Sequence, residues 1–151
     1  MGQVDFVIYS HVDNPITRDK IDAAKKLSSF PYVLETDRGH VELFDFPIQG
    51  QSSIEQMLKK LQAKRIDGFI FSQEETDRVL RKMRLKEVHR EYYQTYDDIP
   101  IVRKDDANLG DEVDRILSTA LATLKKSGKL QELWKRIHVP YQNWQPSEMG
   151  W

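Results

Sequence analysis

Residues 51–75, QSSIEQMLKKLQAKRIDGFIFSQEE, constrain the fold more than any other stretch, because they read as a helix, a tight joint and a buried strand in immediate succession. Ser52 followed three residues later by Glu55 has the form of a capping box, in which each side chain satisfies a backbone N–H left open at a helix start. Ile54, Met57, Leu58 and Leu61 then recur at i, i+3, i+4 and i+7, one apolar stripe that must face a sheet or a second helix. The period changes at Arg65-Ile66-Asp67-Gly68. Glycine there lets the chain approach a neighbour closely, Asp67 supports the turn, and Phe69-Ile70-Phe71 reads as a short core strand. Ser72, Gln73, Glu74 and Glu75 fall at its carboxyl end, the edge where open α/β sheets bind ligands.

The remaining chain supplies partners for that unit. Val4 to Ser10, VDFVIYS, is apolar and β-branched enough for a buried strand. Thr17 is placed to cap a short helix carrying Ile21, Ala24 and Leu27. Tyr32 to Thr36 reads as a strand, Asp37-Arg38-Gly39-His40 as a turn, and Val41 to Ile48 as another extended segment. Thr76 to about Arg84 reads as a charged helix with Val79, Leu80 and Met83 inward. Leu85 to Tyr96 has only scattered strand signal in Val88, Tyr92 and Tyr93, whereas Ile99 to Arg103 reads as a strand whose proline sets it at an edge or a strand start. Leu109 through Leu124 carry the spacing of a long amphipathic helix, Gly128 is placed as its left-handed cap, and a last helix bears Leu130, Leu133, Trp134 and Ile137 before Pro140 stops it.

With 151 residues, the chain is long enough for one domain with a core. Its 23 basic and 24 acidic side chains nearly cancel, so no overall field draws it to nucleic acid or an anionic membrane. Arg78, Arg81, Lys82, Arg84, Lys86 and Arg90 beside Tyr92 and Tyr93 accordingly read as a solvated helix face and not as a nucleic-acid patch. There is no cysteine, which excludes disulfide and thiolate chemistry. The amino terminus lacks a secretory signal and no stretch approaches the roughly 20 apolar residues of a membrane span, so the chain as given is expected to be soluble. His11, His40, His89 and His138 are too widely spaced for a zinc site, and no phosphate loop or nucleophile elbow occurs; neither metal nor cofactor is expected.

The order of these pieces resembles the second half of an ABC-transporter solute-binding protein of the type 2 periplasmic fold, the class that includes polar amino-acid receptors. The resemblance is carried by the entering strand VDFVIYS, the strand and polar loop YVLETDRGH, the unit from Leu61 to Ile70 with its R-I-D-G-F-I, the returning strand IPIVRKDD, and the closing helices VDRILSTALATLKKSGKLQELW. It implies an α/β lobe, an open mixed sheet flanked by helices, followed by two C-terminal helices. Residues 4–104 would form the second lobe with hinge strands at both ends. Residues 105–151 would carry helices and an aromatic tail that return to a first lobe, most of which this sequence lacks. Faces that pack on that lobe would be bare, so the chain is expected to be a fragment of a longer receptor or a self-associating remnant.

The same resemblance implies the site. The family holds a ligand carboxylate through backbone amides and a hydroxyl in the loop after the lobe's first internal strand, which corresponds here to Thr36, Asp37, Arg38, Gly39 and His40. Arg38 can add a bidentate grip on a carboxylate, although the interval from Gly39 to Ser52 is short for the helix that usually follows, and a solvated hairpin turn accounts for the same residues. After the later strand many amino-acid receptors place an aspartate against the ligand's ammonium group. The matching position is Ser72, followed by Gln73 and Glu74, so an α-amino group loses its usual partner unless Glu74 replaces it. The expected function is non-catalytic binding of a small polar or anionic metabolite outside the cytoplasm, in the periplasm, for an ABC transporter or sensor. Two alternatives remain open at this level: a dehydratase-like enzyme with Glu74 or His40 as general base, and an interaction module that self-associates through its hinge and through Trp144 and Trp151.

Overall fold

The computed structural model describes residues 3–97 and 109–137. In chain order these form β1 (Gln3–His11), α1 (Arg18–Ala24), β2 (Leu34–Asp37), a 3-10 helix (Arg38–Leu43), β3 (Gln49–Gln51), α2 (Ile54–Gln62), β4 (Gly68–Ser72), α3 (Gln73–Met83), β5 (Val88–Asp97), α4 (Leu109–Lys126) and α5 (Lys129–Ile137). The strands make one open mixed sheet in the order β3-β2-β4-β1-β5. β2 is parallel to β3 and β4, whereas β1 runs antiparallel to both β4 and β5. The expected α/β class and mixed sheet flanked by helices are what the chain adopts.

The helix–joint–strand unit forms as its spacing predicts. Met57, Leu58 and Leu61 are buried under α2 against Val7, Tyr9, Phe69 and Phe71, with Leu80 of α3 completing the cluster. Full burial of each such side chain contributes about 1.5–3 kcal/mol. Gly68 is required by the closeness of β1, since a Cβ there would lie 2.8 Å from the Tyr9 carbonyl oxygen. Asp67 is structural: its carboxylate accepts from the Val33 N–H at 2.8 Å and from Asn14 Nδ2 at 3.4 Å.

Three expectations are corrected, and one weak signal is resolved. The cap of α2 is Ser53, whose hydroxyl accepts from the Gln56 N–H, because the Ser52 amide is taken by Gln51 Oε1; Glu55 reaches Lys82 instead of closing a capping box. Val41 to Ile48 is not a strand. Asp37 caps a 3-10 turn by accepting from Gly39 N–H at 2.8 Å, and the apolar alternation serves to bury Phe44 and Phe46 beside the sheet. The helix expected from Thr76 begins at Gln73, directly on the end of β4, so Gln73 and Glu74 occupy its first turn. The scattered strand signal of Leu85 to Tyr96 resolves into the ten-residue β5, which runs from Val88 to Asp97.

A bulge explains why β5 is hard to read. Val7 pairs with Tyr92 and Phe6 with Gln94, leaving Tyr93 as the extra residue. Such an insertion moves every later side chain to the opposite face, so simple alternation fails across it. The carbonyl of the unpaired Tyr93 accepts from Arg18 Nη1 at 2.7 Å, and the guanidinium lies 5.6 Å from the Tyr93 ring centroid. Tyr96 consequently joins Tyr93 on the second core face, with Phe6, Ile8, Ile21, Leu34, Phe44 and Phe46.

Gly128, at φ +72°, turns the chain from α4 into α5. These helices leave Ile116, Leu117 and Leu133 exposed by 53%, 37% and 44%. The expected hinge strand Ile99 to Arg103 and the tail with Trp144 and Trp151 lie outside the described residues. Among the described residues no helix is long and apolar enough to cross a membrane.

Candidate functional site

The three parallel strands end on one edge of the sheet, at Asp37, Gln51 and Ser72. The antiparallel β1 brings its amino-terminal half to the same edge, with Phe6 opposite Ser72 and Gln94. Glycine at 50 lets the 3-10 turn lie on β3, because a Cβ there would meet Arg38 Cα at 3.1 Å and Val41 Cγ2 at 3.2 Å. Both sequence-derived stretches, 36–40 and 72–74, therefore fall on this edge. His40 joins them: its ring centroid is 5.5 Å from that of Phe71 and 5.4 Å from that of Phe6, both edge-on.

The eight candidates divide by accessibility. Thr36 is wholly buried and its hydroxyl donates to the Ile70 carbonyl at 2.7 Å, tying β2 to β4. Gln73 is buried on the first turn of α3, and Ser72, also buried, donates through Oγ to Glu75 Oε2 at 3.2 Å. Arg38, Gly39 and Glu74 are exposed, and Asp37 and His40 are half-exposed. The Gly39 amide already donates to Asp37, and His40 Nδ1 lies 3.5 Å from the same carboxylate oxygen. The edge thus presents one guanidinium and one imidazole beside the carboxylates of Asp37, Glu74 and Glu75, a mixed set suited to hydrogen-bonding a small polar molecule carrying both signs of charge.

Phe6 is the aromatic hub of this edge, which the sequence reading treated only as strand interior. Besides His40 it meets Phe71 at 5.9 Å and Tyr96 at 4.8 Å between centroids. Tyr96 remains half-exposed, and burial is the main cause raising its phenol pKa above the ordinary value. Its strand parity, set by the bulge, hid it from the sequence.

Beneath α3, on the other face of the sheet, lies a buried polar cluster. Tyr9 donates to Asp77 Oδ1 at 3.0 Å and Arg90 Nη2 donates to Asp77 Oδ2 at 2.6 Å. Burial pushes the Asp77 carboxyl up to about 7 against the opposing pull of Arg90. These side chains are closed to solvent and serve packing. A groove of about 280 Å³, lined by residues that include His11, Arg84, Lys86 and Val88, lies at the opposite edge, where β1 ends and β5 begins. Among the described residues no three of His, Cys, Asp or Glu are arranged to hold a metal ion.

No family model matches the sequence, and no curated protein matches it. Solved structures do. The solute receptor for L-cysteine of Neisseria gonorrhoeae aligns with 96% of this chain and 58% of its own length at 14% identity, with a TM-score of 0.51. An ancestral arginine-binding protein bound to glutamine aligns with 87% of this chain and 60% of its own at 15% identity, also with a TM-score of 0.51. This chain therefore spans less than two-thirds of the length of the structures it matches. Its five-stranded mixed sheet, entered by an antiparallel strand and flanked by helices, is the lobe fold of the type 2 periplasmic solute-binding proteins.

Proposed function

We propose that this chain supplies one lobe of a two-lobed extracytoplasmic receptor that binds a small polar or anionic metabolite such as an amino acid, without chemistry, for an ABC transporter or sensor. The observation that carries this reading is the convergence of 36–40 and 72–74 on one sheet edge, linked through the ring of His40. Solute binding would use the exposed part of that set: Arg38 and His40 as donors, Asp37 and Glu74 as acceptors, with Thr36, Ser72 and Gln73 fixing the strand ends from beneath. Residues 4–104 form the lobe in this scheme, and 105–151 return to a partner lobe that closes over the solute. The bare apolar residues Ile116, Leu117 and Leu133 support a missing partner surface. The two solved structures of this fold are a receptor for L-cysteine and an arginine-binding protein bound to glutamine, which supports an amino-acid-like solute.

The test is a nuclear magnetic resonance titration of the isotope-labelled chain with L-glutamine, L-cysteine, L-arginine and succinate. With half of a cleft, binding should be weak, with a dissociation constant of roughly 1 mM, and amide shifts should concentrate at 37–40 and 73–75. Micromolar affinity from a monomer contradicts the half-cleft scheme, and shifts that avoid both stretches remove the site.

A further inference from the structure

We infer that Tyr96 is a further solute-contacting residue of this edge, brought there by the β5 bulge that Arg18 holds in place; the inference rests on the receptor reading above. Residues 90 and 92 share a face with Tyr9 and Val7, their cross-strand partners. Continued alternation would keep Tyr96 on that face, under α3 and away from Phe6. The extra residue at Tyr93 reverses the parity, so Tyr96 pairs with Val4 and turns its ring edge-on to Phe6 at 4.8 Å. Phe6 in turn touches His40 and Phe71, so one chain of rings runs from Tyr96 to the two candidate stretches.

A bulge leaves its extra residue unpaired across the ladder, and here Arg18 gives that residue a partner. Three contacts converge from the start of α1: the Arg18 N–H donates to Glu91 Oε1 at 2.8 Å, Nη1 donates to the Tyr93 carbonyl at 2.7 Å, and the guanidinium faces the Tyr93 ring. Arg18 is a positioning residue, acting through Tyr93 upon Tyr96. Tyr96 sets its ring against Phe6 while the residue stays half-exposed, the amphipathic arrangement that recurs where a ligand is apolar on one side and wet on the other. The class of solute that fits is one carrying an apolar flank beside its charged group, in preference to a fully polar dicarboxylate.

The experiment follows the ring protons of Tyr96 alongside the amides of Gly39 and His40 in the titration with L-arginine, L-cysteine, L-glutamine and succinate. Tyr96 should move with His40 for the first three and less for succinate. Tyr96→Leu, which keeps apolar contact with Phe6, should weaken binding about 3- to 10-fold, whereas Tyr96→Phe keeps most of it. Arg18→Ala should weaken binding by a similar factor and abolish the Tyr96–Phe6 nuclear Overhauser contact, with circular dichroism unchanged; Arg18→Lys should restore it only in part, since an ammonium lacks the planar fork. If Gly39 and His40 shift while Tyr96 does not and Tyr96→Leu binds normally, the inference falls and the receptor reading stands. If none of the probes shifts either region, both fall together. Loss of binding in Arg18→Ala with the Tyr96–Phe6 contact intact overturns the role given to the bulge.

Discussion

The two faces of the single sheet solve burial differently. Under the regular helices α2 and α3 the sheet buries ionisable side chains in pairs: Asp77 with Arg90, and Glu35 with Lys60 at 2.6 Å. On the face of Phe6 and Ile8, covered by the short α1 and by irregular chain through Phe46, burial is by rings, aliphatic groups and hydroxyls. Ser10 accepts there from the Ile16 N–H at 2.9 Å, and Thr36 donates to the Ile70 carbonyl. A long helix fixes the positions of side chains a turn apart well enough to aim a carboxylate at a guanidinium. Short polar side chains on this face bond to nearby backbone instead, as Asp37 also does at the 3-10 turn by accepting from the Gly39 N–H. The candidate edge belongs to the second kind of construction.

The largest test of that contrast is Asp77→Ala, which leaves the Arg90 guanidinium buried without its carboxylate and should cost about 3–5 kcal/mol in urea unfolding. Replacing both with Leu and Met should return most of the loss, and failure to do so would assign the pair a role beyond mutual neutralisation. Lys60→Met should cost less, about 1–3 kcal/mol, because Lys60 is one-third exposed while Glu35 is buried. On the opposite face, Thr36→Val should cost about 1 kcal/mol, the scale of one neutral hydrogen bond. A loss there equal to that of Asp77→Ala would break the comparison.

The faces should also differ in their response to acid. The Asp77 carboxyl, held up to about 7, binds a proton in the folded state at pH values where the unfolded chain, with an ordinary carboxylate pKa near 4, has lost it. Its contribution is therefore fully present below about pH 4 and is lost as pH rises through about 7. Urea midpoints between pH 5 and 8 should fall with pH in the native sequence, and this part of the slope should vanish in Asp77→Asn. Persistence of the slope would move its origin elsewhere.

Legibility divides along the same line. The α2 stripe, the β4 strand and the close glycine at 68 were readable because helical period, burial and steric closeness all point one way. The 3-10 turn was misread since Val41, Leu43, Phe44 and Phe46 imitate strand spacing, and nothing in sequence reveals that Asp37 closes on the Gly39 amide. That residues 36–40 and 72–74 lie at strand ends was readable, because each comes directly after a β-branched or aromatic run. Which side chains reach solvent there was not readable: Thr36 and Gln73 point inward, and Tyr96 required knowledge of a bulge that only pairing discloses.

The two borders of the sheet carry a consequence for behaviour at high concentration. One border is β3, only three residues long with glycine in its middle; the other is β5, longer but kinked at Tyr93 and obstructed there by the Arg18 side chain. Among the described residues neither offers the long, flat row of open backbone groups that seeds lateral stacking into fibrils. Crowded samples of this chain should therefore cluster through greasy helix surfaces and stay amorphous, without acquiring cross-β order.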